Sequence, residues 1–243
     1  MTEKPVDREI RMALNVLHTN GFKKSAEGIL RVANSSICER DGRTLRQVTG
    51  LIFEHAVADE HWAHLFATLC KFLYQRLSSR ITDSSIENNR GYLSRGGILF
   101  REYVLQLCQV ELENGSRAVA EEVNKTRAGV CVAAAGKKRN LNIIAFIAQL
   151  YHLGVFTKAV LEEFISTLLK VNGAPPYDNV EQLATLVQVT GGVTNLRVKE
   201  MYFRRVSSMI EDPEVDNDIR LLLMVGVPSH SCCFGCFLTV CFH

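Results

Sequence analysis

Leu51 to Leu73 reads LIFEHAVADEHWAHLFATLCKFL, and this stretch decides the fold. Two apolar-periodic segments flank a short acidic turn, Ala58-Asp59-Glu60. Leu51, Ile52, His55 and Ala56 recur at helical spacing before the turn; Trp62, Leu65, Phe66, Leu69, Cys70 and Leu73 recur after it. Side chains at i, i+3, i+4 and i+7 share one helical face. A connection this short between two helices forces them antiparallel. The unit is therefore a helical hairpin, and the question becomes whether it repeats.

Toward the N-terminus, Asp7 or a neighbour caps a predicted helix carrying Ile10, Ala13, Leu14 and Leu17. Asn20-Gly21 breaks it, and Phe22, Ala26, Ile29, Leu30 and Ala33 mark a returning helix. Asp41-Gly42 opens the second pair, which leads into the stretch quoted above. Residues 78–97, SSRITDSSIENNRGYLSRGG, are polar and Gly/Ser-rich and read as a long loop, with no sustained period-two alternation to suggest a strand. A third helix carries Phe100, Val104, Leu107, Cys108 and Leu112, and a weakly patterned partner is expected from Ser116 to about Lys125. The small-residue stretch TRAGVCVAAAGKKRN (Thr126 to Asn140) reads as a loop or a helix lead-in.

Ile143, Ile144, Ile147, Leu150 and Tyr151 open a fourth pair, which turns at His152-Leu153-Gly154 and returns through Val160, Leu161, Phe164, Ile165 and Leu168 behind a Thr157 cap. A fifth runs from Val180, Leu183, Leu186 and Val187 and returns through Met201, Val206, Met209 and Ile210. The sum is about five antiparallel helix pairs of roughly 40 residues each, the period of an all-α, HEAT- or ARM-like solenoid rather than a compact bundle.

The chain has 243 residues, net charge +2 and an apolar fraction of 47%, which excludes wholesale disorder. No apolar run approaches the roughly 20 residues that span a bilayer, and MTEKPVDREIRM lacks the apolar core of a secretory signal, so no membrane association is expected. Cys70 and Cys108 sit on apolar helical faces, where free cysteine behaves as a small hydrophobe. A reducing compartment, cytosolic or nuclear, is the expectation. No phosphate-binding loop, dinucleotide fingerprint, zincin helix or nucleophile elbow occurs, so neither an enzyme nor a cofactor or small-molecule substrate is expected.

Four stretches carry a resemblance to a known family: ALNVLHTNGF (Ala13 to Phe22), the Leu51–Leu73 hairpin, NIIAFIAQLYHLGVFT (Asn142 to Thr157), and MYFRRVSSMI (Met201 to Ile210) followed by DIRLLL. Together they resemble the middle domain of eukaryotic translation initiation factor 4 gamma, a right-handed HEAT-like solenoid. The resemblance covers most of residues 8–224. It implies a cytoplasmic, non-enzymatic scaffold that binds and activates the DEAD-box RNA helicase of translation initiation, contacts mRNA and meets other initiation factors. By the same resemblance Leu14, Leu17, Phe22 and Phe203 are expected helicase contacts. Related middle domains of mRNA decay, splicing or nuclear cap binding are the alternative.

The chain departs from the family pattern after Met224, reading VGVPSHSCCFGCFLTVCFH. The expected domain is therefore 8–227, with 228–243 an atypical Cys-rich tail outside the fold and the C-terminus truncated.

Lys137, Lys138 and Arg139, then Arg197, Lys199, Arg204 and Arg205, are the expected RNA contacts, provided that they align on one side of the solenoid. Otherwise they are solvated helix faces. Glu211, Asp212, Glu214, Asp216 and Asp218 offer an acidic surface to a basic helicase lobe. His55, Asp59, His61 and His64 invite a metal-dependent enzyme as the reading from another class, yet the turn separates them and no second cluster supplies further ligands. Cys232, Cys233, Cys236, Cys241 and His243 are too tightly spaced for a normal zinc knuckle. No metal is expected.

Overall fold

The order of elements is α1 (Pro5–Asn15), α2 (Phe22–Asn34), α3 (Arg43–Ala58), α4 (Ala63–Arg76), β1 (Thr82–Glu87), β2 (Leu93–Arg95), α5 (Gly96–Glu122), α6 (Arg127–His152) and α7 (Lys158–Leu169). The computed structural model describes residues 5–17, 21–87, 93–122 and 127–169, with isolated positions 182, 183, 185, 186, 204, 207, 208 and 211. They fall into two compact units, one through Lys158 and one from Ala159.

In the first unit α1 packs on α2, α3 on α4 and α5 on α6, so consecutive helices form three pairs. The all-α stacked-hairpin class read from periodicity is the class observed. α3 is the hub of this unit, lying against α1, α2, α4, α5 and α6. It accordingly buries Leu45, Val48, Leu51, Ile52, Phe53, Ala56 and Val57, more than a single stripe. A helix touched on several sides loses the one-sided pattern of a surface helix. Phe53 meets Phe146 of α6 edge to face at 6.2 Å, a favoured aromatic geometry.

The start of α3 is built from side chains of the segment before it. The N–H groups of a first helical turn have no intrahelical acceptor and must find one elsewhere. Here Arg43 N donates to Asp41 Oδ1 at 3.3 Å, Thr44 N to Glu39 Oε2 at 2.8 Å and Leu45 N to Ser36 Oγ at 2.7 Å. Thr44 Oγ1 also donates to Glu39 Oε1 at 2.6 Å. Burial opposes ionisation of Glu39, but these hydrogen bonds and nearby Arg43 outweigh it and hold the carboxyl below its usual range. At the other end of the same helix, Asn142 of α6 donates to Val57 O at 3.0 Å, satisfying a carbonyl of the last turn.

Three expectations change. Residues 78–97 are not an unstructured loop: Thr82–Glu87 and Leu93–Arg95 pair antiparallel, and Asp83 also bridges back to Asp41. Alternation is hidden here because Asp83 and Ser94, the residues that face inward, are polar. The partner expected from Ser116 does not exist as a separate helix, since α5 continues unbroken to Glu122. The stretch Thr126–Asn140 is helical from Arg127 and forms the first half of α6. Alanine-rich sequence has high helix propensity without large apolar residues, so periodicity could not report it. Ile143–Tyr151 therefore belongs to the returning helix of the third pair and does not open a fourth. α6 ends at Gly154, whose φ of +74° reverses the chain while Val155 N and Phe156 N close on Leu150 O.

In the second unit α7 buries Leu161, Phe164, Ile165 and Leu168, following the predicted spacing, and Leu183 and Leu186 are buried as well. Apart from Leu183 and Leu186, the residues that define the fifth pair lie outside the described residues, as does the tail from 228.

Gly28 and Gly50 sit inside α2 and α3, and a methyl group at either would meet nothing within 4 Å. Replacing a helical glycine by alanine removes backbone entropy from the unfolded chain. Gly28→Ala and Gly50→Ala are each expected to raise stability by about 0.5–1 kcal/mol, read as a higher urea midpoint at unchanged m-value.

Candidate protein and RNA interface

Of the four residues expected at a helicase contact, Leu14 and Leu17 are buried at 2% and 1% exposure. Their helical spacing is that of a core stripe, and neither presents its surface to a partner. Leu14 does reach the floor of a groove of about 210 Å³, walled by Asn15 of α1, His55 and Ala58 of α3, and Trp62, Leu65 and Phe66. Trp62 stands 39% exposed at this groove. Phe22, half-buried at the start of α2, packs edge to face on Phe72 of α4 with ring centres 6.2 Å apart. It thus lies on another helix pairing from the one that forms the groove. Phe203 lies outside the described residues.

The basic groups separate in the same way. Lys138 is exposed and Lys137 half-buried on α6. Arg139 donates through Nε and Nη2 to Glu111 Oε2 at 3.2 and 3.0 Å, and Nη2 stands 3.8 Å from Glu54 Oε1. That guanidinium ties α6 to α5 and α3, so Arg139 serves the packing of the third pair rather than a free phosphate. Arg204 is helical and exposed in the second unit. Arg197, Lys199 and Arg205 lie outside the described residues, as do Asp212, Glu214, Asp216 and Asp218; Glu211 is exposed.

Each histidine of the quoted stretch has a protein partner of its own. His55 Nδ1 meets Leu51 O at 2.9 Å, His61 Nδ1 meets Asp59 Oδ1 at 2.7 Å, and His64 Nδ1 meets Gln149 Oε1 of α6 at 3.0 Å. The hydrogen bond and charge of Asp59 raise the His61 pKa. Among the described residues no group of three or more His, Cys, Asp or Glu is placed to hold a metal ion.

The densest polar cluster is one that sequence reading missed. Asp83, with only 1% of its side chain exposed, accepts from Tyr103 Oη at 2.6 Å, from Ser85 N at 2.8 Å, from Ser85 Oγ at 2.6 Å and from Arg46 Nη2. Burial opposes its ionisation, yet the donors from Ser85, Tyr103 and Arg46 prevail and hold its pKa down at about 2. Burial, with the adjacent carboxylate, pushes the Tyr103 phenol up. Arg46 also lies over the Tyr103 ring at 5.2 Å. Gly42, at φ +55°, leaves the space that Tyr103 Oη occupies. The only trace in the sequence is Asp-Ser-Ser, a common turn composition that does not announce a buried carboxylate.

Antiparallel helix pairs stacked in sequence, without a catalytic constellation among the described residues, define a helical-repeat protein. The chain belongs to the MIF4G domain family, whose match runs over residues 7–225. It is similar to eukaryotic translation initiation factor 4 gamma of Schizosaccharomyces pombe, with 29% identity over 90% of this chain and 16% of that protein. Similarity to eukaryotic initiation factor 4F subunit p130 of Saccharomyces cerevisiae is 29% over 78% of this chain and 21% of that subunit. With eukaryotic translation initiation factor 4 gamma 1 of Mus musculus it is 22% over 89% and 14%. The chain thus spans less than a quarter of the length of these relatives. The MIF4G domain of Trypanosoma cruzi translation initiation factor EIF4G5 superimposes with a TM-score of 0.55 at 12% identity, covering 92% of this chain and 94% of that one, and shares its fold. Among the described residues no helix is long and apolar enough to cross a membrane.

Proposed function

We propose that this chain is a cytoplasmic, non-enzymatic scaffold of translation initiation that binds and activates a DEAD-box RNA helicase and contacts mRNA together with other initiation factors. The observation that carries the reading is the similarity to translation initiation factor 4 gamma along nine-tenths of the chain. The groove between α1, α3 and α4 supports it as a docking place: a partly exposed Trp62 beside the apolar Leu65 and Phe66 is the composition of an interface anchor. Leu14 and Leu17 then act indirectly, by seating α1 as one wall. Phe22 and Phe203 remain candidate contacts, and Lys137, Lys138, Arg197, Lys199, Arg204 and Arg205 remain candidates for mRNA.

A scaffold activates a helicase by binding its closed form more tightly than its open form, and the shift cannot exceed that difference in affinity. With RNA and ATP saturating for the helicase alone, adding this chain is expected to raise ATP turnover about fivefold or more, the lower end of ordinary coupling between sites. An unchanged rate with this helicase, together with capture of a DEAD-box protein of mRNA decay or splicing instead, would overturn the assignment to initiation.

A further inference from the structure

The helices α2 and α4 meet at two points. Phe22 packs on Phe72, and Asn34 Oδ1 accepts from Ser78 N at 3.0 Å just beyond α4. The two contacts run in the same order along both elements, so α2 lies beside the C-terminal part of α4 and the turn after it. The surface of this pair is lopsided in charge. Lys23, Lys24 and Arg31 of α2, Arg76 of α4 and Arg80 of the following turn are exposed, and Lys71 is half-buried. Against these six cations α2 offers one carboxylate, Glu27, and α4 none, in a chain whose net charge is only +2.

Elsewhere in this unit Arg43, Arg46, Arg101 and Arg139 are paired with carboxylates. Arg76 instead lies over the ring of Phe72, 4.5 Å from its centre, and both aromatics of the seam are half-buried. An exposed cation run set around aromatic rings and a stacked guanidinium is the composition of a surface that tracks a phosphate backbone and stacks its bases.

We propose that the α2–α4 seam is a binding surface for single-stranded RNA, with Lys23, Lys24 and Arg80 on phosphates and the Phe72–Arg76 stack as a platform for a base. It rests on the reading of this chain as an mRNA-contacting scaffold and adds a surface separate from Lys137 and Lys138 on α6. Flexible single strands suit it better than duplex, because only unstacked bases offer a face to the ring and guanidinium.

The test is fluorescence anisotropy of a labelled oligouridylate of about 20 nucleotides at several salt concentrations, longer than a single site of this kind occupies. Three variants are compared: Lys23→Glu with Lys24→Glu, Phe72→Leu, and Lys137→Glu with Lys138→Glu, each checked for an unchanged melting curve. The first double variant is expected to weaken binding at least about tenfold and to reduce the salt slope by about two, one per lost phosphate contact. Phe72→Leu keeps an apolar side chain and is expected to lose about fivefold or more with the salt slope unchanged, the effect of a removed stacking face.

If the unaltered chain does not bind the oligonucleotide at all, the mRNA-contact reading itself falls, and this inference with it. Binding weakened only by the Lys137 and Lys138 changes keeps that reading and overturns the seam. Displacement of the RNA by polyglutamate at matched charge, with Phe72→Leu silent, overturns it in favour of an acidic protein partner.

Discussion

Replacing Asp83 with alanine is expected to cost about 3 kcal/mol and to lower the melting temperature by about 6–12 °C, measured by circular dichroism at neutral pH. The loss comes from what is left behind. The Tyr103 hydroxyl is buried and would lose its acceptor, the Ser85 backbone N–H would lose another, and Arg46 would keep only the aromatic face. Buried donors without acceptors each cost about 1–3 kcal/mol, whereas the exposed end of Arg46 recovers water. The same carboxylate gives a pH signature whose sign follows from its depressed pKa. Its folded value of about 2 lies below the ordinary 3.8. Its contribution is thus complete above about pH 4 and fades as pH falls through 2. Asp83→Asn is expected to remove that acid-side slope, so that the stability gap between wild type and variant, measured in urea, narrows from pH 5 to pH 2. An equal gap at both ends would show that Asp83 is not held ionised by these donors.

Gly97→Ala is expected to be comparably severe, at about 3 kcal/mol, despite adding one methyl group. A Cβ at this position would fall well inside contact of the Tyr74 carbonyl oxygen, and at neighbouring Gly96, where φ is +50°, it would stand 2.8 Å from Ser78 O. The opposing atoms are backbone, which yields only by moving the C-terminal turn of α4. Overpacking of this kind costs about 1–3 kcal/mol even where side chains can adjust. Chemical denaturation should place Gly97→Ala well below wild type and Gly28→Ala above it. That pairing isolates close backbone approach from the generic effect of adding alanine to a helix. Wild-type stability in Gly97→Ala would mean that α5 does not start against α4 as described.

Periodicity carried the hairpins where helices have one apolar stripe. The turns at Gly21, Asp41-Gly42, Asp59-Glu60 and Gly154 were legible because each uses a residue whose backbone or side-chain chemistry makes a turn. It failed where burial is achieved by other means. The first half of α6 is alanine-rich and carries no stripe, so the third pair was closed too early and the fourth opened one helix too soon. The β-ribbon was invisible because its inward residues are Asp83 and Ser94, polar groups that alternation rules count as outward. At the interface, identical spacing served two roles. Leu14 and Leu17 look like anchors or core equally well in one dimension, and only their depth of burial separates these. Arg139 belongs visibly to a basic cluster, but nothing near it in sequence reveals Glu111 or Glu54. The α2–α4 seam escaped notice because its cations are spread over two helices 40 residues apart.

Stacked-repeat arrays normally contact only nearest neighbours, so their stability adds pair by pair and their ends peel away independently. The ribbon departs from that rule. Ser84 N donates to Arg40 O ahead of α3, Asp83 holds Arg46 within α3, and Tyr103 reaches the same carboxylate from α5. A single strap thus joins the approach to the second pair, the second pair itself and the third. Local opening of either pair breaks bonds belonging to the other, which penalises partly open states and leaves complete opening as the accessible one. The first unit therefore behaves as one cooperative block rather than a stack of separable layers, and amides in α3 and α5 exchange with solvent through the same opening event.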